Sequence, residues 1–492
     1  MHETIPDLMR RAARTYGTRE FLRFPDTSLT FADADARSDR LAQALIHQGV
    51  RPGDRVAVML DNVPGWPVSW LAILKAGAVA VPVNARYQAA DLAHVLGDSG
   101  AVLTLTTDEY AAMNPGPCHD PETLIRGAGH QSTHVPLRAD DVANFQYTSG
   151  TTGFPKACML THDYWLRTAR IAADQVHLRD DDVMLIAQAY SYMDPQWATL
   201  LCLIGGIPLV VLPRFSASGF WASAREHGAT LTYVLGTMPL LMHKQPPHPQ
   251  DAGNRMRLVL CSGIQPDLHR TFEERWGAPW RELYGSTESG PDLVVAADAE
   301  DTVGTGAMGR APAGKEVELD EETGEILVRG VPMMKGYWNH PEATAHAFRG
   351  GWYHTGDRGF RDSAGYIHHA GRLKDMVRRG GENISCAEVE SVLNQHPAVL
   401  ATALVPIPDD LFGELPKAFV QLRPGHAPGV GTAMSVIEHA RRNLARFKIP
   451  AYVEFVESFS LTPSARIEKR HLLTPERDQR AAPAIRTEKD RS

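Results

Sequence analysis

The ten residues Tyr147-Thr-Ser-Gly-Thr-Thr-Gly-Phe-Pro-Lys156 gather hydroxyls, glycines and a lysine more densely than packing calls for. Gly150 and Gly153 let backbone N–H groups come close to oxygen atoms, Thr148, Ser149, Thr151 and Thr152 add donors, and Lys156 adds a fixed positive charge. Together they suit a loop that holds a triphosphate. The spacing is not that of the Gly-x-x-x-x-Gly-Lys-[Ser/Thr] loop, because Pro155 precedes the lysine and Ala157 follows it. An ordinary Ser/Thr/Gly surface loop is the plain alternative.

A second stretch, Glu282-Leu-Tyr-Gly-Ser-Thr-Glu-Ser-Gly290, sets Tyr284, whose ring could stack on a planar base, shortly before Thr287 and Glu288. The Glu288 carboxylate could hold Mg2+, and a solvated glutamate is its bland reading. Residues 351–359 and 371–384 mix glycine with charge, a make-up typical of loops that carry function. Residues 190–197 form an aromatic-rich turn after an apolar run, where α/β proteins put ligands. Core packing is the competing reading there.

The elements that must position these stretches alternate. Helical patterns at 8–14 and 32–47 are followed by short apolar runs within 51–60, 70–83 and 101–105, the signature of parallel strands buried on both faces. Beyond the loop, 162–175 reads as helix, and 182–187, 200–212, 229–235 and 256–262 read as strands, the last running into a loop with Gly263. From 303 to 337 short alternating strands suggest a small β subdomain. After Lys374 the chain restarts with a helix at 387–395, strands at 403–406 and 417–422 and a basic helix at 434–444. The fold class is therefore α/β: a large N-terminal domain of layered α/β subdomains plus a small β subdomain (1–373), a small α+β C-terminal domain (374–472) and a flexible tail (473–492).

With 492 residues, 43% of them hydrophobic and 22% charged, the chain has ample core for more than one domain. A net charge of −8 argues against a general nucleic-acid binder. No basic region followed by an apolar core opens the chain, and its longest apolar run, 200–212, is broken by Gly205, Gly206 and Pro208. No membrane partner is expected. Five scattered cysteines without a CxxC pair suggest reduced thiols, small buried hydrophobes of a cytoplasmic protein. Subunit number is open, with a homodimer as one option.

The motifs at 147–156, 284–288 (Tyr-Gly-Ser-Thr-Glu), 353–357 (Tyr-His-Thr-Gly-Asp) and 371–375 (Gly-Arg-Leu-Lys-Asp) resemble, in order and approximate spacing, those of the adenylate-forming enzymes: acyl-CoA synthetases, adenylation domains and firefly-type luciferases. Residues 192–197 and 378–385 look most like the bacterial branch with carnitine and crotonobetaine CoA ligases. The resemblance implies two half-reactions. A carboxylate attacks the α-phosphorus of ATP to give an acyl-adenylate and pyrophosphate, then a mobile C-terminal domain rotates and a thiol, of CoA or a carrier protein, displaces AMP. By the same resemblance Thr148 to Gly153 and Lys156 hold the β- and γ-phosphates, and Tyr284 and Gly285 meet adenine with Ser262 and Gly263 at its edge. Thr287 meets the α-phosphate, Glu288 with Thr148 serves Mg2+, and Asp357 and Arg372 take the ribose. Lys374 is the hinge, and Gly380 and Gly381 line the thiol passage. The acid pocket is framed by Tyr192, Met193, Asp194, Tyr233, Gly236, Thr237, Ser262 and Gly290, a polar set that suits a small or polar acid. Asp194 could face a cationic substrate or form an Asx turn before Pro195.

The pattern breaks in three places. Where the family has a catalytic lysine near the C-terminus, residues 461–469 read Leu-Thr-Pro-Ser-Ala-Arg-Ile-Glu-Lys, which puts Arg466 at that position. Arginine keeps the charge but is planar and forked. Arg466 could do the job, Lys469 could substitute, or adenylation could be weakened. Tyr192 stands where many relatives have a gating histidine, and Ala157 stands where glycine is usual. Two rival functions follow: adenylation of an inorganic acid such as nitrous acid with transfer to an amine, and a nucleotide-binding protein that has lost catalysis.

Overall fold

The computed structural model describes residues 3–129, 134–148, 155–373, 375–379, 382–409, 412–461, 467–469, 472–473 and 484–487. They divide into two compact units, Met1–Val317 with Val328–His354, and Glu318–Leu327 with Thr355–Ser492.

In the first unit the helix starts are written in the sequence. Thr4 and Thr30 accept from the backbone N–H of Asp7 and Asp33, and those carboxylates accept from the threonine N–H in return. These reciprocal bonds fix the first turns of Ile5–Tyr16 and Phe31–His47, with a cap contributing about 1 kcal/mol. The helices cover two sheets. One runs in the order Cys118–His119, Leu103–Thr106, Arg55–Met59, Val79–Pro82, Val142–Thr148, Lys156–Thr161, parallel except for its last pair. The other runs Gly290–Val294, Trp280–Ser286, Leu258–Ser262, Leu231–Leu235, Met184–Ile186, Leu209–Val211, Glu20–Phe24, Thr27–Thr30, parallel inside and antiparallel at both edges. Val56, Val58 and Val81 are fully buried, as strands covered on both faces require.

One expected strand is different. Residues 200–212 split into the end of a helix, Met193–Gly205, and a short strand, Leu209–Val211. An apolar run looks the same for a buried helix and a buried strand. Gly206 makes the break: it caps the helix at φ 66° and its N–H donates to the Cys202 carbonyl, while a Cβ there would meet the Tyr16 ring at 2.4 Å. The aromatic turn at 190–197 accordingly becomes a helix entry, with Tyr192 as its N-cap.

The second unit has its own core of Val377, Ile384, Val389, Leu393, Val420, Val436 and Val453 with neighbours. Val399–Asp409 pairs antiparallel with Gly413–Leu422, which pairs parallel with Tyr452–Val456. Helices Cys386–Asn394 and Val430–Asn443 bury Leu393 and Ile437 in the same core. Within 473–492, expected as a flexible tail, Ile485–Arg486 adds a short antiparallel strand to Tyr452–Val456, and Thr487 Oγ1 donates to the Pro450 carbonyl.

Among the described residues no helix is long and apolar enough to cross a membrane. All five cysteines are free thiols, and all but Cys118 are buried.

Candidate active site

The strand Val142–Thr148 turns back as Lys156–Thr161, and the antiparallel register sets Thr148 opposite Lys156. A hydroxyl and an ammonium thus share the mouth of one hairpin. Ser149, Gly150, Thr151, Thr152 and Gly153 lie outside the described residues. Glu288 meets the same hairpin: its Oε1 accepts from Tyr337 Oη at 2.9 Å and stands 3.5 Å from Thr148 Oγ1. Lys156 Nζ lies 5.3 Å from the centre of the Tyr337 ring. Burial and the Glu288 carboxylate push the Tyr337 phenol well up, so it stays neutral and donates. The segment Met334–Trp338 is itself stitched to the second hairpin strand, with Trp338 N–H donating to Ala157 O and Met159 N–H to Gly336 O.

The turn that bears Glu288 is built from beneath. Tyr164 Oη donates to Thr287 O at 2.9 Å, and Thr287 Oγ1 lies 3.7 Å from Met193 Sδ. Ser289 Oγ donates to Asp292, and Lys315 Nζ, fully buried, reaches Asp292 Oδ1 at 3.0 Å and the carbonyls of Ser289 and Pro332. Gly285 is required there, because a Cβ would stand 2.0 Å from the Gly290 carbonyl oxygen. A bulge falls between Tyr284 and Gly285, which re-aims the strand end that presents the half-buried Tyr284. Gly290 faces Tyr164, Thr168 and Pro332 rather than open space.

Gly263, at φ 95°, heads a loop fastened by one carboxylate. Glu282 Oε1 accepts the Gly263 N–H at 2.6 Å and Oε2 the Ile264 N–H at 2.9 Å. Ser262 Oγ donates to the Leu283 carbonyl and pairs with Tyr233 Oη at 2.8 Å, tying three strand ends together. Gly236 follows the neighbouring strand and donates to Ser262 O at 3.3 Å, and Thr237 opens the next helix. Tyr233 also packs edge-on against Trp197, ring centres 5.4 Å apart.

Tyr192 Oη accepts from Asn84 Nδ2 at 2.7 Å. Burial and then the Tyr87 hydroxyl raise its pKa far above the ordinary value, so it offers a hydroxyl and no base near neutral pH. Its backbone is held from behind, since Gln196 Nε2 donates to the carbonyls of Tyr190 and Tyr192. Asp194 lies in the first turn of Met193–Gly205, where its charge complements the helix dipole.

In the second unit Asp357 and Arg372 face each other across the hairpin of Tyr353–Arg361 and Ile367–Arg372, Nε to Oδ1 2.7 Å. His369 Nε2 stands 3.8 Å from the same oxygen. Lys469 Nζ is bound to both oxygens of Asp375 and to Glu390. Arg466, Lys374, Gly380 and Gly381 lie outside the described residues.

A family described as AMP-binding enzyme matches residues 9–338, and the AMP-binding enzyme C-terminal domain matches residues 388–466. The chain belongs to the AMP-binding enzyme family. Its relatives include a feruloyl-CoA synthase of Amycolatopsis sp, 34% identical over 93% of this chain and 96% of that one. A crotonobetaine/carnitine–CoA ligase of Salmonella paratyphi B is 32% identical over 94% and 97%. Among solved structures, o-succinylbenzoate CoA synthetase of Bacillus subtilis in complex with its acyl-adenylate intermediate matches at TM-score 0.86 and 27% identity, covering 97% of this chain and 100% of that one. ATP-bound MatB of Rhodopseudomonas palustris matches at TM-score 0.86 and 27% identity, covering 95% and 98%. This AMP-binding enzyme is therefore similar over nearly its whole length to proteins named as CoA ligases and CoA synthetases.

The sequence named Thr148, Lys156, Thr287 and Glu288 of the cluster but not the groups that hold them. Tyr337 and Lys315 lie in the run expected only as a β subdomain, and Glu282 stood at the edge of a quoted motif without a role. The one local signal was for Glu282: a carboxylate at a strand end beside a glycine-rich turn offers an acceptor to orphan N–H groups.

Proposed function

We propose that the enzyme activates a small or polar carboxylic acid on ATP as an acyl-adenylate, releases pyrophosphate, and then passes the acyl group to the thiol of CoA or a carrier protein with release of AMP. The observation that carries this reading is the joint at the hairpin mouth, where Thr148 Oγ1 stands 3.5 Å from Glu288 Oε1 with Lys156 opposite Thr148 in register. In the first step a carboxylate oxygen forms a bond to the α-phosphorus and the bond to pyrophosphate breaks. In the second, the thiolate attacks the acyl carbon and AMP leaves. Lys156 offsets charge on the outer phosphates, Thr287 donates to the α-phosphate, and Asp357 with Arg372 takes the ribose hydroxyls. Glu288 and Thr148, whose hard oxygens suit Mg2+, would hold such an ion. When bound, the ion offsets negative charge on the attacked phosphate. Arg466 supplies the cation of the adenylating step, and Lys374 the pivot between steps. Positioning and charge neutralisation are the chief contributions of such groups.

The acid is assigned as small or polar from the polar residue types of the frame the resemblance implies, within which Asn84 Nδ2 bonds Tyr192 Oη and Tyr233 Oη pairs with Ser262 Oγ. The experiment is pyrophosphate and AMP release from ATP and Mg2+ across a panel of small acids, nitrite included, each with and without CoA and with amine acceptors. AMP release with a carboxylic acid, giving a thioester when CoA is added, supports the proposal. AMP only with an inorganic acid and an amine would replace it with the diazotising reading, and ATP binding without pyrophosphate release would mean lost catalysis.

A further inference from the structure

Both stems of the hairpin mouth are tied to one helix, Ala89–Ser99. Asp98 Oδ2 accepts from Tyr147 Oη at 2.6 Å, directly before Thr148. His94 Nε2 stands 2.9 Å from the Pro155 carbonyl, directly before Lys156. A carbonyl only accepts, so His94 donates there, and it does so both as the Nε2–H tautomer and as imidazolium. The spacing of His94 and Asp98, one helical turn, puts both on one face. Tyr147 also bonds Val95 O at 3.3 Å, and its ring lies edge-on to His94 with centres 6.3 Å apart. The same helix end reaches the other side of the cluster, because Trp338 Nε1 donates to Asp98 O at 3.1 Å beside Tyr337, the donor to Glu288.

From this geometry we infer that His94 and Asp98 are positioning residues that set the separation and aim of Thr148 and Lys156 toward the outer phosphates of ATP. The inference rests on the reading of the hairpin mouth as a phosphate grip. The attraction between a lysine and a phosphate falls with distance, and a stem free to move lets Lys156 drift from its partner. Each latch fastens the residue immediately before a functional group, so neither stem can shift without breaking a bond. Core packing alone explains neither bond, since both hold polar atoms to the stems and not apolar surface.

The test is isothermal titration of ATP and of AMP into H94A, H94Q, Y147F, D98A and K156A. AMP has no β- or γ-phosphate, so a loosened grip weakens ATP and spares AMP. The expected result is a loss of about tenfold in ATP affinity for H94A and Y147F, the equivalent of one hydrogen bond, with AMP affinity unchanged. H94Q, which keeps a donor near the Nε2 position, restores most of the loss. K156A guards the premise: if it lowers ATP and AMP affinity alike, the phosphate reading itself fails. If K156A separates the two nucleotides while H94A and Y147F do not, the grip stands and the positioning role is overturned. Equal losses for both nucleotides in H94A, with a lowered melting temperature, would reduce the helix to scaffold and also overturn it. Y147F keeps its ring and decides the matter if H94A does not fold.

Discussion

Lys469 Nζ lies 2.7 Å from Glu390 Oε1 and 2.8 Å from both carboxylate oxygens of Asp375, inside the second unit. Burial lowers the lysine pKa, but the Glu390 and Asp375 carboxylates outweigh it and hold the ammonium above its ordinary value. Glu390 is committed as well, accepting the Leu404 N–H at 2.6 Å. A cation held by two carboxylates is poorly placed to serve as the reserve lysine of adenylation, which argues against Lys469 and favours the proposed role of Arg466 over it. R466A is expected to slow pyrophosphate release by about 100-fold or more, the scale for one lost transition-state donor, with R466K recovering a large part. K469M should instead lower the melting temperature of the second unit, since stripping one partner from a buried pair costs about 3 kcal/mol. Pyrophosphate release at the native rate in R466A would sink the assignment.

Glu282 gives a contrasting prediction. Its two oxygens hold adjacent N–H groups of the Gly263 loop, and no other described acceptor serves them. E282Q turns one oxygen into an amide that opposes an N–H, leaving a donor unsatisfied at about 1–3 kcal/mol. If that loop meets the adenine edge, as the family resemblance implies, ATP and AMP affinity should fall together by about tenfold. Titration of both nucleotides checks it, and a loss confined to ATP would place the loop elsewhere.

The layered α/β class was legible because parallel strands buried on both faces leave continuous apolar runs, as at Val56–Val58. Residues 147–156 and Glu288 stood out because hydroxyl, glycine and charge crowd together locally in the sequence, and their roles are proposals. Tyr337 did not stand out, since its bond to Glu288 spans 49 residues of chain and exists only through sheet order. The helix across 200–205 was hidden for the opposite reason: Leu and Cys buried all round carry no periodic signal.

Lys315 and Asp292 form a pair with the lysine side chain fully buried and the carboxylate nearly so, directly under the turn that carries Glu288. K315M leaves a buried charge behind and should cost about 3–5 kcal/mol, whereas K315M/D292L replaces the pair with apolar surface and should recover most of it. Urea unfolding of the singles and the double gives the coupling. If the double variant is no more stable than K315M, the pair is not what the turn depends on.

His162 sets an acid limit on the first unit. It is 2% exposed, its Nδ1 accepts the Ile5 N–H at 3.4 Å, and burial lowers its pKa from 6.5 to about 4, against the pull of Asp141 and Asp7. A base with a depressed folded pKa binds its proton in the unfolded chain first, so stability is fully present above about pH 6.5 and lost as pH falls toward 4, with no further loss below. The span is worth about 3 kcal/mol at most, of which about 2 kcal/mol falls between pH 7 and pH 5. H162Q cannot titrate and removes this part of the slope, whatever it does to stability at pH 7. Urea midpoints of both proteins at pH 7 and pH 5 measure the difference. An equal drop in the two would show that His162 is not the group that unfolds the first unit in acid.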